Sequence, residues 1–523
     1  MITNLKTPGV YIDEVNAFPN SVVQVATAVP AFIGYTPQAK YEGKSYLFKP
    51  VQITSMADFN TFFAYPKDPN APTTTPKQYA PSYYVTAQKK APAKGEYYNF
   101  NDTIYTVEPD PNTIYYLYNS VKMFFQNGGS QAYIVSVGTY GPPSGSPINP
   151  GDQITNGNVK LADLQQGLEA LKKVPEVTMY IMPEGTLLSA AENSSLMEDM
   201  LLQCNSMQTA VSIFDIKGGA EPDPILWQQD IQNFRNSTGN NFLKYGVTYY
   251  PFLKTTVTPI GDIDYTGING GNISALEGVL NPPNAPNTQA AGIINSIKSG
   301  NSLSVSQNNS ALSTASKTYQ QILKIIQDKV NILPPSGVMA GVYTLVDSTE
   351  GVWHAPANVT PIGVTDLTLR IDDESQEGLN VDAVSGKSIN AIRYFNGQGV
   401  LVWGARTLDG NSQDWRYVNV RRTVTMIEQS IKLALQAYVF ANNDSNTWSS
   451  VTSMLENFLT NVWKEGGLQG TNANDAFTVK CGLGQTMTAQ DILDGYLRVS
   501  VFLAVTHPAE YIVVTIEQEL AKS

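Results

Sequence analysis

Side chains suited to catalysis are scarce in this chain of 523 residues. Its two histidines are His354, in the run GVWHAPAN, and His507, directly before a proline. Histidine is the most frequent general acid–base and a common metal ligand, but both histidines are interpreted here as turn or packing residues. No His-Glu-x-x-His, Cys-x-x-Cys or Gly-x-Ser-x-Gly motif occurs. We therefore predict no enzyme activity, no catalytic residue, no metal site and no cofactor.

Two polar segments resemble ligand-binding motifs but lack the required spacing. The tripeptide Gly-Lys-Ser at 386–388 has the ending of a phosphate-binding loop, which also needs a glycine where Val381 stands. The acidic cluster at 372–377 has the carboxylates of a Ca²⁺ site, but its spacing is not that of a helix–loop–helix calcium loop. We predict that the acidic cluster is a solvated loop and that the tripeptide binds no phosphate.

Arginines and aromatic residues are concentrated between positions 388 and 422, around the short apolar strand 400–403. Arginine carries five donors in a rigid fork, so it usually marks a bidentate pair or a stacked contact. Two interpretations remain open for these side chains: salt bridges between chains or domains, and stacking on Trp403 and Trp415 within the chain. The residues concerned are Arg393, Arg406, Arg416 and Arg421.

The composition excludes several classes of protein. A net charge of −12 argues against a nucleic-acid binder, which needs clustered Lys and Arg. No apolar run reaches the roughly 18–20 residues needed to span a bilayer, and the start shows no basic-then-apolar signal pattern. We therefore predict a protein that is made and assembled in the cytoplasm and is not inserted into a membrane. Cys204 and Cys481 give no disulfide framework.

The elements that must position these residues alternate between helix and strand. Apolar periodicity predicts an α/β layer domain from 114 to 250 and two amphipathic helices near 420–440 and 446–464. The proline-rich segment 66–113 is interpreted as an insertion on the outer surface. The segment 256–314 is poor in charge and rich in Gly, Asn, Ser and Pro, and it predicts a long loop.

The run N-x-I-R-x-F-x-G-x-G-x-x-V-W-G-A-R-T, followed by WRYVNVRR, resembles the C-terminal core of contractile tail sheath proteins. These proteins form the outer cylinder of myovirus-type phage tails and of related injection devices. Further matches are TPGVYIDEV and ATAVPAFIGYT near the start, the run at 332–358, and HPAEYIVVTI at 507–516. Together the matches cover both ends of the chain and little of its middle.

The resemblance implies an α+β multidomain fold in which both chain ends build a conserved inner α/β sheath domain, with outer α/β domains inserted. The implied domains are an N-terminal linker arm, an inserted middle domain, an outer insertion, the inner sheath domain and a C-terminal linker arm. Their predicted limits are 1–26, 27–65 with 114–339, 66–113, 340–506 and 507–523, respectively.

The resemblance also implies a mechanism based on exchanged strands. Subunits polymerise helically around an inner tube and are linked by β-strands that each donates to its neighbours. Contraction drives the tube through a target envelope. The implied partners are further copies of the chain, with or without sheath paralogues, the inner tube protein, and baseplate and terminal cap proteins. The particle is a virion tail or a phage tail-like device.

Particular residues follow from this mechanism. Thr7, Pro8 and Gly9 are the predicted hinge of the arm. The predicted donated strands consist of Val10, Tyr11, Ile12 and Val15 at the start, and of Tyr511, Ile512, Val513, Val514 and Ile516 at the end. Two other classes of function stay open at this point: an α/β enzyme with an unrecognised active site, and a β-rich surface-binding protein.

Overall fold

The computed structural model describes residues 21–67 and 76–514, which form two compact units. The larger unit is Thr27–Arg421. The smaller unit contains the described residues 21–26 and 422–514. The predicted domain limits at 339 and 506 do not coincide with this division. The predicted hinge and the first donated strand, at 7–15, lie outside the described residues, as does Ile516.

Strands and helices are numbered here in chain order. The strands are β1 (Pro30–Thr36), β2 (Lys40–Tyr41), β3 (Lys44–Ser45), β4 (Val51–Ile53), β5 (Tyr83–Gln88), β6 (Tyr98–Phe100), β7 (Thr103–Pro109), β8 (Ala132–Thr139), β9 (Met179–Ile181), β10 (Val211–Asp215), β11 (Gly246–Tyr250), β12 (Leu253–Thr255), β13 (Ile332–Leu333), β14 (Val364–Leu367), β15 (Asn390–Phe395), β16 (Gly399–Trp403), β17 (Phe477–Cys481) and β18 (Val499–Leu503). The helices are α1 (Met56–Phe63), α2 (Leu117–Gln126), α3 (Leu161–Ala170), α4 (Ala190–Met207), α5 (Gln228–Ser237), α6 (Ile273–Leu280), α7 (Thr288–Lys298), α8 (Val305–Ala315), α9 (Lys317–Val330), α10 (Ser336–Thr349), α11 (Asp373–Asn380), α12 (Val418–Leu435), α13 (Ser445–Lys464), α14 (Ala473–Ala476) and α15 (Ala489–Leu493).

An eight-stranded sheet forms the centre of the larger unit, in the order β16-β15-β11-β10-β9-β1-β8-β4. The strands from β8 to β15 in this order pair in parallel, and β4 and β16 are antiparallel strands at the two edges. All seven residues of β1 are buried, as expected for a continuous apolar run inside a parallel sheet. The predicted mixed α/β fold is therefore confirmed.

Helices α2 and α10 pack closely, and two glycines permit the contact. A Cβ atom on Gly337 would lie 2.7 Å from Ser120 Cβ, and one on Gly341 would lie 2.7 Å from the Phe124 carbonyl oxygen. Real Cβ atoms do not come so close to backbone atoms, so larger residues would separate the helices. The pair is one rigid element beside the sheet.

A second hydrophobic core lies elsewhere in the larger unit and defines what we call the accessory module. It consists of the three-stranded sheet β5-β7-β6 and helices α6 to α9. The prediction of a long loop at 256–314 is wrong, because three helices form there. Asn272, Asn287 and Ser304 cap the first turns of α6, α7 and α8, and each helix buries only a few apolar side chains, which explains the weak periodicity.

The smaller unit contains most of α12, all of α13, α14 and α15, and the two-stranded sheet β17–β18. Helix α13 buries Val451, Leu455, Phe458 and Val462, in agreement with the amphipathic helix predicted near 446–464. No helix in the described ranges is long and apolar enough to cross a membrane.

Candidate assembly surface

The two-stranded sheet of the smaller unit is short and incompletely covered. Strands β17 and β18 pair in antiparallel register over five residues, from Phe477 opposite Leu503 to Cys481 opposite Val499. One face of this sheet, formed by alternate side chains, packs against α13. Of the two valines at its centre, Val479 is buried and Val501 is half-buried. An isolated two-stranded sheet is marginally stable in water, and this one is supported by its packing against α13.

The opposite face of the same sheet is solvated. Phe502 is 58% exposed, and Lys480 Nζ lies 5.6 Å above its ring. Beyond the end of β18, the Gln469 N–H donates to the Ala504 carbonyl at 2.7 Å and the Thr506 N–H donates to the Gly467 carbonyl at 3.3 Å. The sheet therefore presents an apolar ring on its surface.

The described end of the chain is an exposed apolar segment. Ile512, Val513 and Val514 are 81%, 88% and 75% exposed, and together with Tyr511 they lie outside the strands of the described chain. Consecutive apolar residues at such exposure are unusual for a soluble surface. These four are the residues of the predicted second donated strand that lie within the described chain, and all four are exposed.

The base of the predicted N-terminal arm is attached to the smaller unit. The Val25 backbone N–H donates to Ser430 Oγ of α12 at 3.0 Å, and Val23 nearby is exposed. Residues 21–26 and 422–514 thus belong to one compact unit.

The four arginines contact groups within the larger unit. Arg393 Nε donates to the Ile371 carbonyl at 3.0 Å, and its Nη1 lies 2.7 Å from Asp373 Oδ1. Arg406 Nη1 donates to the Asn380 carbonyl at 3.1 Å. Arg416 and Arg421 complete the set.

Arg416 and Arg421 both follow Trp415 in the sequence but contact different groups. Arg416 Nε donates to the Gly410 carbonyl at 2.9 Å. The Arg421 guanidinium lies 4.3 Å from the Trp415 ring centre and 5.2 Å from that of Tyr245. These contacts favour an internal stacking role for Arg421, whereas intersubunit bridges remain a prediction for the others.

The segments that resemble catalytic or phosphate sites have structural partners. Lys387 is buried, and its Nζ donates to the backbone carbonyl of Arg235. His354 Nδ1 lies 2.9 Å from Glu350 Oε2 on the surface, and His507 Nδ1 lies 2.9 Å from the Val505 carbonyl oxygen. In the acidic cluster, Asp372 caps the start of α11. These arrangements provide no nucleophile–base pair.

Buried carboxylates at the carboxyl edge of the central sheet are the polar residues that sequence reasoning missed. Glu184 follows β9, and its Oε1 accepts hydrogen bonds from the N–H groups of Tyr116 (3.2 Å) and Leu117 (2.8 Å) at the start of α2. Asp215 ends β10 and accepts the Ser336 N–H at 2.9 Å, at the start of α10. Each carboxylate thus caps one helix of the packed pair.

These carboxyl groups are buried enough to change their protonation. Burial raises the pKa of Glu184 to about 8 and that of Asp215 to about 7. Strands β1 and β9 are adjacent at the point where the strand order reverses, which is where doubly wound sheets bind their ligands. Here Glu184 fills that position, since a Cβ on Gly34 of β1 would lie 2.3 Å from its Oε2.

Comparisons with known proteins agree with this architecture. Residues 411–519 match the family profile of the phage tail sheath C-terminal domain. The tail sheath protein of Vibrio phage KVP40 is 28% identical over 144 residues, which are 27% of this chain and 21% of that protein. The chain thus spans about a fifth of the length of this curated relative.

Solved structures extend the likeness to the whole chain. The sheath complex of an extracellular contractile injection system, PVC, in the contracted state has a TM-score of 0.58 at 24% identity, over 99% of both chains. The baseplate structure of the anti-feeding prophage has a TM-score of 0.55 at 25% identity, over 99% of this chain and 100% of that one. These comparisons confirm the predicted resemblance to contractile tail sheath proteins.

Proposed function

We propose that this chain is a structural subunit of a contractile sheath, which polymerises helically around an inner tube and is not an enzyme. Neighbouring subunits are joined by exchanged terminal strands. The observation that carries this proposal is that one chain contains both an incompletely covered two-stranded sheet, β17–β18, and an exposed apolar segment at 511–514.

The two features are complementary in chemistry. The sheet offers strand edges and a half-buried apolar face, and the segment offers backbone donors, acceptors and aliphatic side chains. A strand added to a sheet makes main-chain hydrogen bonds that are each worth about 0.5–1.5 kcal/mol net. About five such bonds, together with burial of two or three aliphatic side chains, make a link of several kcal/mol. A segment that pairs with the sheet of a neighbouring chain cannot also pair with the sheet of its own chain. Its exchange therefore links chains into a polymer.

Contraction then requires rigid bodies joined by flexible links. The larger unit supplies a rigid body, since its sheet is buried and its helix pair is closely packed. In the extended state the sheath is held kinetically, and triggering lets subunits repack to bury more surface. The free-energy decrease moves the inner tube outward without nucleotide hydrolysis. The partners are further copies of the chain, an inner tube protein, and baseplate and cap proteins, assembled in the cytoplasm into a virion tail or tail-like particle.

The test is negative-stain electron microscopy of the full chain co-expressed with its tube and baseplate proteins. The variants are Val513→Asp and Val514→Asp. Adjacent residues of a strand point to opposite faces of the sheet that the strand joins, so in any register one of the two side chains lies on the face that packs against α13. We expect long hollow cylinders from the wild type and none from at least one variant, with the variants still folded and soluble.

Val384→Asp is the matched control, because Val384 is 92% exposed but lies in the larger unit. It is expected to assemble like the wild type. Deletion of residues 1–15 is expected to abolish cylinders and leave a soluble subunit. Normal cylinders from both tail variants would refute strand exchange. Globular particles from the wild type, with tube and baseplate present, would refute the sheath proposal itself.

A further inference from the structure

One connection between the accessory module and the rest of the larger unit is a small hydrogen-bonded junction. The chain leaves the three-stranded sheet β13-β12-β14 after β12 and returns to it at β13, directly after Asn331. Asn331 links the two crossings: its Nδ2 donates to the Thr258 carbonyl at 2.9 Å, and its Oδ1 accepts the Thr258 N–H at 2.8 Å. Thr255 Oγ1 donates to the Asn331 carbonyl at 2.9 Å. This junction fastens the module to that sheet, while the two hydrophobic cores stay separate.

A buried ionic cluster lies beside this junction. Lys329, near the end of α9, places its Nζ 2.8 Å from Glu221 Oε1 and 3.5 Å from Glu108 Oε2. The side chains of Lys329 and Glu108 are 8% and 2% exposed, and that of Glu221 is 29% exposed. Lys329 and Glu108 belong to the accessory module, whereas Glu221 lies in the loop that follows β10. The Lys329–Glu221 pair therefore crosses the boundary between the two cores.

The loop that carries Glu221 follows β10 of the central sheet and is also held by the residue after β14. Thr368 Oγ1 donates to the Gly219 carbonyl at 2.8 Å. A cavity of about 30 Å³, which has room for about one water, is lined by Tyr83 of the accessory core together with Tyr116 and Leu333 of the central core. The ionic cluster borders this cavity, because Glu221 and Lys329 are among its lining residues.

The cluster holds more negative than positive charge. One lysine faces two carboxylates, and Glu108 Oε1 is buried without a hydrogen-bond partner. Burial raises the pKa of Glu108 to about 7; the neighbouring Lys329 lowers it, and the charge of Glu221 raises it further. The other titratable groups that face the cluster are Glu96, Tyr83, Tyr98 and Tyr116.

We propose that Lys329, Glu221 and Glu108 form an ionic latch that holds the accessory module against the central core, and that the boundary between the two cores opens locally when the latch breaks. This proposal rests on contacts inside one chain and does not depend on the sheath function.

Hydrogen–deuterium exchange of the full-length chain tests the latch. Glu221→Gln keeps the size of the side chain and removes the charge that crosses the boundary. We expect exchange to rise by about tenfold in 83–107 and 317–330, because a buried charge loses its partner. Exchange in β10 and β11 of the central sheet is expected to stay at the wild-type rate. Lys329→Met leaves two carboxylates facing each other and is expected to have a larger effect.

The control is Glu277→Gln, whose partner Lys298 lies 2.6 Å away inside the accessory module. It removes an ion pair of the same module without touching the boundary, so it should leave 83–107 unchanged. Unchanged exchange in Glu221→Gln would overturn the latch. An equal rise in β10 and β11 would also overturn it, because it would indicate general destabilisation.

The pH dependence is a second readout with a definite sign. The pKa of Glu108 is raised from 4.5 to about 7 in the closed state, so protonation favours closure. Module opening, corrected for intrinsic exchange, should therefore increase by up to about tenfold per pH unit as the pH rises toward 7. Glu108→Gln should remove this dependence, and a persistent dependence would exclude Glu108 as its source.

Discussion

The central sheet of the larger unit and the two-stranded sheet β17–β18 of the smaller unit contain the same residue types but differ in how far they bury them. Phe32 in β1 is fully buried, whereas Phe502 in β18 is 58% exposed. The first sheet has eight strands, and the second has two. A sheet gains stability from each strand that covers an edge and from each layer that covers a face. The larger sheet is therefore covered within one chain, while the smaller one keeps an exposed face among the described residues.

The contrast assigns different consequences to mutation in the two regions. Changes in the central sheet should lower the stability of the subunit. Changes in the two-stranded sheet β17–β18 or in the segment 511–514 should leave the subunit folded and act on assembly. The following predictions test this difference with matched pairs.

The largest effect is expected for a core truncation. Phe32→Ala should lower the free energy of unfolding by about 3–5 kcal/mol, because it removes a buried ring and leaves a cavity in the sheet. Chemical denaturation followed by circular dichroism measures it. Phe502→Ala is the matched change in β18 and should leave the free energy of unfolding of the isolated subunit nearly unchanged. Equal losses in both variants would contradict the comparison.

Protonation of a buried carboxyl should be the next largest effect. The pKa of Glu184 is raised from 4.5 to about 8 in the folded chain. Its contribution to stability is therefore complete below pH 4.5 and is lost as the pH rises through 8. Glu184→Gln should flatten this decline, by about 2–3 kcal/mol between pH 5 and 8. Denaturation midpoints across this range test it, with the exposed Glu198→Gln as the control that keeps the wild-type slope.

Stacked arginines allow a smaller comparison. Arg421→Lys should lower stability by about 1–2 kcal/mol, because a lysine loses the planar stacking on Trp415. The guanidinium of Arg498 also lies near an aromatic ring, that of Tyr496 at 4.9 Å, but its side chain is half exposed. Arg498→Lys should give no measurable change in thermal unfolding. A loss at Arg498 as large as that at Arg421 would show that burial does not decide the effect.

Helix caps provide the smallest contrast. Ser189 and Glu192 form a capping box at α4 in the larger unit, and Thr488 and Asp491 form one at α15 in the smaller unit. Ser189→Ala should reduce the free energy of unfolding by about 1 kcal/mol. Thr488→Ala should act mainly on local hydrogen exchange at 489–493, since α15 has no buried residue. A global loss from Thr488→Ala would contradict the comparison.

Much of the architecture was predictable from the sequence. The run of apolar residues in β1 predicts a buried strand, and the spacing of Val451, Leu455 and Phe458 predicts the buried face of α13. The accessory module was not predictable by the same reasoning. Its helices α6 to α8 have few apolar residues, and their signals are caps such as Asn272 and Ser304, which resemble turn residues in a single sequence.

The sequence by itself determined the family resemblance, the alternation of strands and helices and the scarcity of catalytic side chains, because these depend on local spacing and composition. Only the tertiary structure decided which charges are buried. Glu184 caps a helix whose capped residue Leu117 is 67 positions away, and Lys329 contacts Glu221 across 108 positions. Burial and pairing at such separations arise from how distant segments pack, since the sheet order brings strand ends and helix starts together. Local sequence carries no record of that proximity.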